Sequence, residues 1–117
     1  MCAEDDPALG DALRHVFSSL GYEVEHATNG LDAWERMAAD IDHFEVLITD
    51  SNMPGLSGLE LVELLREANY RGRIVVHSGS LTTSELEGFR AFKVDRFVTK
   101  AAESGQLLSV VEGLSKR

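Results

Sequence analysis

Apolar positions along this chain recur in two alternating rhythms. From Pro7 to Leu20, the side chains Leu9, Leu13, Val16, Phe17 and Leu20 fall at helical spacing on one face. Asp6 stands where an N-cap belongs and Pro7 where a first helical residue belongs, so a helix is predicted there, stopped by Gly21. Tyr22 to Ala27 alternates as a strand does, and Thr28-Asn29-Gly30 turns into a second helix carrying Leu31, Trp34 and Met37. Phe44 to Thr49, FEVLIT, is a near-continuous apolar run of the kind covered on both faces. The turn SNMPGLSG leads into a third helix bearing Leu59, Val62 and Leu65, with Ser57 its expected cap. Arg73 to His77 reads as a short strand, Leu81 to Phe92 as a weaker helix, Arg96 to Thr99 as a short strand. Ala102 to Leu114 reads as a final helix with Leu107, Leu108, Val111 and Leu114 on its inner face. The first strand is the weakest signal. Only Met1, Cys2 and Ala3 precede the acidic run, so either that strand is unusually short or the sequence begins inside it.

Strands and helices that alternate strictly, with strands this apolar, imply an α/β fold: a parallel sheet covered on both faces and joined by right-handed crossovers. No repeat, low-complexity tract or linker interrupts the pattern, so residues 1–117 are expected to form a single domain. Charge narrows the partners. With 20 acidic against 11 basic side chains the formal net charge is −9, and such a surface repels phosphate backbones and anionic membranes. Direct nucleic-acid or membrane binding is therefore not expected. No apolar run approaches the roughly 20 residues that span a bilayer, and the start MCAEDD lacks the basic and apolar regions of a secretory signal. A cytoplasmic protein is expected. Cys2, the one cysteine, excludes an intramolecular disulfide and a cysteine-rich zinc site.

In an open parallel sheet, ligands bind outside the carboxyl ends of the strands, so the residue that follows each apolar run carries the chemistry. Glu4 and Asp5 follow the first strand, Asp50 follows FEVLIT, Ser78 follows RIVVH and Lys100 follows RFVT. If the sheet is right, all share one edge. Carboxylates so gathered repel one another unless a cation offsets them, and carboxylates with water suit Mg²⁺. A lysine, a hydroxyl and a divalent ion around one carboxylate look like a phosphoryl-transfer site with an aspartate nucleophile. The histidines His15, His26, His43 and His77 have no ligand spacing and read as surface or packing residues; Phe17, Trp34 and Met37 read as core.

The segments AEDDPAL at 3–9, VLITDSNMPGLSG at 46–58, VVHSGS at 75–80 and RFVTK at 96–100 together resemble the receiver domain of bacterial two-component response regulators. The resemblance covers essentially the whole chain. It implies the flavodoxin-like fold, a doubly wound five-stranded parallel sheet of order 2-1-3-4-5 with five helices. It also implies that Asp50 takes a phosphoryl group from a histidine kinase or phosphotransfer protein. Mg²⁺ would be held by Glu4, Asp5, Asp50 and the backbone carbonyl of Asn52. Lys100 would pair with the phosphoryl group, Ser78 would swing to it, and Phe97 would be the aromatic switch. The output surface would be the fourth helix, fifth strand and fifth helix, where Phe89, Phe92 and Phe97 stand beside Arg90, Lys93 and Arg96. A downstream output protein or domain, or a second copy, would dock there. No output domain is expected within these residues.

Departures from the family pattern sharpen the expectations. Ala101 replaces the usual proline after the lysine, which puts the placement of Lys100 in question, because a non-proline cis bond costs about 2.5–4 kcal/mol. Lys93 stands where the family has glycine, so the fourth helix is expected to end differently or run further. Glu4 for Asp, Ser78 for Thr and Gly79 for Ala are milder. With Asn52 and a small Ser80 flanking the site, hydrolysis of the phosphoaspartate is expected to be fairly rapid. One alternative is a pseudo-receiver, an interaction module that is never phosphorylated, for which Ala101 is the argument. Another is a phosphatase of the haloacid-dehalogenase kind, which needs a second Asp two residues after the nucleophile, where this chain has Asn52.

Overall fold

Asp6 opens the first helix as its position predicts: its carboxylate accepts the N–H groups of Ala8 and Leu9 at 3.0 and 3.3 Å, with Pro7 at the first turn. Ser57 and Thr82 open two further helices through reciprocal capping boxes with Glu60 and Glu85. The computed structural model describes residues 1–100 and 104–115. In chain order it contains β1 (Cys2–Ala3), α1 (Pro7–Ser19), β2 (His26–Ala27), α2 (Gly30–Ala39), β3 (Val46–Thr49), α3 (Gly58–Glu67), β4 (Arg73–Ser78), α4 (Thr83–Ala91), β5 (Arg96–Thr99) and α5 (Ser104–Ser115). A single 3-10 turn, Ile41–His43, precedes β3. The strands form one parallel sheet of order β2-β1-β3-β4-β5.

Period-two alternation divides the core between the two faces of this sheet. Leu47, Ile74 and Val76 pack with Ala33, Met37, Leu61, Val62, Leu65 and Phe89 from α2, α3 and α4. Ile48, Val75 and Val98 pack with Phe17 of α1 and with Leu107, Val111 and Leu114 of α5.

Several expectations change. β2 keeps only His26–Ala27 of the predicted Tyr22–Ala27, because β1 offers just Cys2 and Ala3 as ladder partners. β3 starts at Val46 rather than Phe44. Val16, Leu20 and Leu31 were expected on buried faces but are 41%, 51% and 45% exposed. In α1 the stripe that meets the sheet is narrow, buried only at Gly10 and Phe17, and in α2 it runs through Gly30, Ala33 and Met37. The expected start of the last helix, Ala102, lies outside the described residues, as does Ala101.

α4 ends where the chain has lysine in place of glycine. The N–H groups of Lys93 and Val94 turn back onto Arg90 and Phe89 carbonyls at 3.0 and 3.3 Å, a Schellman closure that puts Lys93 in the left-handed region at φ 59°. α3 closes the same way through Asn69 at φ 64°. Arg66 joins the two ends: its guanidinium donates to the carbonyls of Tyr70, Gly72, Phe92 and Lys93 at 2.7 to 3.1 Å. A cation thus satisfies carbonyls beyond the C-termini of both helices.

Two predictions follow from these constraints. Lys93→Gly relieves the left-handed strain and is expected to raise stability by about 1 kcal/mol in thermal or urea unfolding; an unchanged or lower stability would show that Lys93 is not strained. The second concerns His77, which is buried on the α1–α5 side of β4, with no partner for Nδ1 among the described residues. Burial first, and the Lys100 charge second, hold its pKa below the usual 6.5. The unfolded chain then binds the proton more readily, so this contribution to stability is complete above pH 6.5 and is lost as pH falls below it. In melting curves between about pH 7 and pH 5, His77→Val is expected to lose less stability than the wild type; parallel curves would remove His77 as the titrating group.

Candidate functional site

The strand register gathers the polar residues. Ala3 pairs with Thr49, Thr49 with Val76, and Ser78 with Thr99, so Glu4, Asp50, Ser78 and Lys100 leave the sheet along one edge. Asp50 is held from several directions. Its N–H donates to the Ala3 carbonyl at 3.0 Å, and its Oδ1 accepts the N–H groups of Ser51 and Asn52 at 2.7 and 3.4 Å. Gly58 lies against the Asp50 carbonyl so closely that a Cβ there would collide with it, and its N–H donates to the Ser51 carbonyl at 3.0 Å. The turn after β3 is thereby clamped onto the start of α3.

Lys100 links the carboxylates. Its Nζ lies 2.8 Å from Asp50 Oδ2 and 2.8 Å from Glu4 Oε1, while its own N–H donates to the Ser78 carbonyl at 2.9 Å. Burial pulls the Lys100 pKa down, but its hydrogen bonds to Asp50 and Glu4 outweigh that and leave it raised. Glu4 is buried, and burial raises its pKa against the opposing effect of Lys100. The second Glu4 oxygen accepts the Asp6 N–H at 3.1 Å, and the Glu4 carbonyl accepts the His26 ring Nε2–H at 2.9 Å. Gly10 leaves the space that the His26 ring occupies.

Carboxylate oxygens of Glu4, Asp5 and Asp50 lie within 4.8 Å of one another, with Asp5 exposed and the other two buried. Three hard oxygen donors so close, with one ammonium among them, can bind a metal ion. Asn52 donates its Nδ2–H to Ser51 Oγ at 3.3 Å. Phe97 is half-buried on the α4 side of the sheet, its ring edge-to-face with Phe89 at 6.1 Å between centroids. Glu4, Asp5, Asp50, Asn52, Ser78 and Lys100 therefore lie together at this edge, whereas Phe97 pairs with Val76, two positions before Ser78 on β4. Lys100 reaches Asp50 with alanine next in the chain.

One residue escaped the sequence reading. Ser51 is buried, and its Oγ lies 2.6 Å from Ser78 Oγ. Extending the β3–β4 register by two positions places Ser51 opposite Ser78, which is the signal that could have found it. A cavity of about 540 Å³ lies at the other end of the strands, lined by Phe17, Tyr22, Val24, Phe44, Val46 and Val111 among others, and none of the site residues line it.

Known proteins are similar to this chain in sequence and fold. The model of the response regulator receiver domain matches residues 1–112. The chemotaxis protein CheY1 of Helicobacter pylori (strain J99) is 40% identical over 103 residues, which cover 86% of this chain and 82% of that protein. The response regulator RppA of Synechocystis sp. is 30% identical over 118 residues, all of this chain and 50% of that protein. The receiver domain of the Francisella response regulator 1452 superposes with a TM-score of 0.87 at 26% identity, over 99% of this chain and 94% of that one. This chain matches half the length of RppA and 6% of the sensor protein EvgS of Escherichia coli, and so corresponds to one segment of those longer proteins. Among the described residues no helix is long and apolar enough to cross a membrane. A match that runs from the first strand into the last helix, on a fold and strand order held in common, means that the chain belongs to the response regulator receiver domain family.

Proposed function

We propose that residues 1–117 form a single receiver unit that accepts a phosphoryl group on Asp50 from a phosphohistidine of a sensor kinase or phosphotransfer protein. The observation that carries this reading is Lys100 Nζ, 2.8 Å from Asp50 Oδ2 and from Glu4 Oε1 at the rim of the sheet. The three clustered carboxylates fit Mg²⁺, which favours anionic oxygens and keeps part of its water; Glu4, Asp5, Asp50 and the Asn52 carbonyl would hold it. When bound, it neutralises charge that develops on the phosphoryl oxygens.

With Oδ1 fixed by two backbone N–H groups, Asp50 Oδ2 is the nucleophile. Oδ2 attacks phosphorus, the P–N bond of the donor breaks, and the leaving imidazole nitrogen keeps the electron pair and takes up a proton. Lys100 moves its contact from Oδ2 to a phosphoryl oxygen, where a fixed cation acts on charge that grows in the transition state. Ser78 then donates to the phosphoryl group, and Phe97 turns inward on the same face of the sheet. The altered face of α4, β5 and α5 is read by an output protein, an output domain or a second copy. Dephosphorylation by water ends the signal, so the protein turns over no substrate of its own beyond its phosphodonor. Asn52 at the second position after Asp50 supplies no acid or base, which disfavours a phosphatase of the haloacid-dehalogenase kind. A cytoplasmic location fits a kinase partner of this type.

Intact mass after incubation with acetyl phosphate and Mg²⁺ tests the reading. One added phosphoryl mass is expected in the wild type, and none in Asp50→Asn or after chelation of the metal. No gain in a folded wild type would favour the unphosphorylated interaction module instead.

A further inference from the structure

The contact between Ser51 and Ser78 belongs to a chain of hydrogen bonds whose direction can be worked out. Ser78 Oγ donates to the Ser80 carbonyl at 3.0 Å, and a carbonyl can only accept, so the one hydroxyl proton of Ser78 is committed there. The 2.6 Å contact between the two serine hydroxyls must then use the proton of Ser51. Asn52 Nδ2 donates to Ser51 Oγ from behind at 3.3 Å. Protons therefore run one way, from Asn52 through Ser51 and Ser78 to Ser80, and each bond polarises the next.

This chain opposes the movement assigned to Ser78 under the proposed function. To donate to a phosphoryl group, Ser78 must withdraw its proton from Ser80 and its oxygen from Ser51. The two partners left behind differ. Ser80 is exposed, and water replaces what its carbonyl loses. Ser51 is 2% exposed, so its hydroxyl has no ready substitute, and a buried donor left unmade costs more than an exposed one.

We infer that Ser51 is a positioning residue that locks Ser78 in the resting state and so sets how strongly a phosphoryl group must pull to flip the switch. In this role it is the Ser51 hydroxyl that acts, through its bond to Ser78; the Ser51 N–H that donates to Asp50 Oδ1 is kept in Ser51→Ala. A residue that merely supported the β3 turn would not depend on the Ser78 hydroxyl. The inference rests on the receiver reading, and it adds a determinant at the position directly after the phosphoacceptor.

The test is titration with beryllium fluoride, a phosphoryl mimic, in the presence of Mg²⁺, followed by amide NMR shifts at residues 78 and 97. Ser51→Ala is expected to lower the half-saturating concentration about two- to tenfold, the span of one net hydrogen bond. In a Ser78→Ala background the same substitution is expected to change nothing, because the lock has no bolt to hold. Equal half-saturation in wild type and Ser51→Ala would overturn the lock, as would a difference that persists without the Ser78 hydroxyl. Phosphoryl mass uptake from acetyl phosphate is measured alongside. Uptake with equal half-saturation overturns the lock alone, whereas no uptake by the folded wild type overturns the receiver reading and this inference with it.

Discussion

Lys100 Nζ stands between Asp50 and Glu4 at 2.8 Å from each, and the remainder of the site is arranged around that ion triad. Buried carboxylates repel one another and resist ionisation, which is why burial raises the Glu4 pKa. One ammonium offsets only part of that charge. The residual negative field is a standing demand for a further cation, and the exposed Asp5 leaves an open side from which one can enter. A cation bound here would be drawn by incomplete neutralisation. A fully paired cluster would be a structural salt bridge and nothing more.

Such a cluster persists only if the backbone holds it, and the strand register does so. Glu4, Asp50 and Lys100 each come one position after a strand packed into the core, so none of the three can retreat without dragging a buried strand. Gly58 and Gly10 add close approaches that a Cβ would block, the first against the Asp50 carbonyl and the second beneath the His26 ring. At the C-terminal end of α3, Arg66 ties together the closures of α3 and α4. That ties down the C-terminal end of α4, whose N-terminal end is set by the Thr82–Glu85 capping box just after Ser80 and Leu81.

The parts of this structure that were legible in the sequence are those set by local rules. Asp6 before Pro7, Ser57 three residues before Glu60, and the apolar run of β4 each carry their own explanation, and all three hold. What failed was set by partners. Tyr22 to Glu25 alternate like a strand, yet a strand needs a ladder, and β1 supplies two residues of one. Val16, Leu20 and Leu31 sit at helical spacing, but spacing cannot say how wide a stripe the sheet will cover. The strand-end rule found Glu4, Asp50, Ser78 and Lys100 because it concerns topology. It missed Ser51, whose role depends on the neighbouring strand.

Under the proposed function, the route from the site to the surface would follow the same register. Phe97 pairs with Val76, and Ser78 lies two positions further along β4, so Phe97 and Ser78 emerge on the same face of the sheet. Space that Ser78 would give up in moving toward Asp50 lies along that face, where the half-buried Phe97 ring leans edge-on against Phe89 of α4. Close-packed interiors do not deform smoothly, so a ring displaced at such a boundary would move between distinct packings rather than by degrees. A hydroxyl movement is small and electrostatic, whereas an aromatic ring carries much more buried area. Under the proposed function, coupling the two would convert a change in charge at Asp50 into a change of shape on α4 and β5. The resting balance would then be set by whatever holds the hydroxyl, and in this chain that partner, Ser51, is buried directly after Asp50.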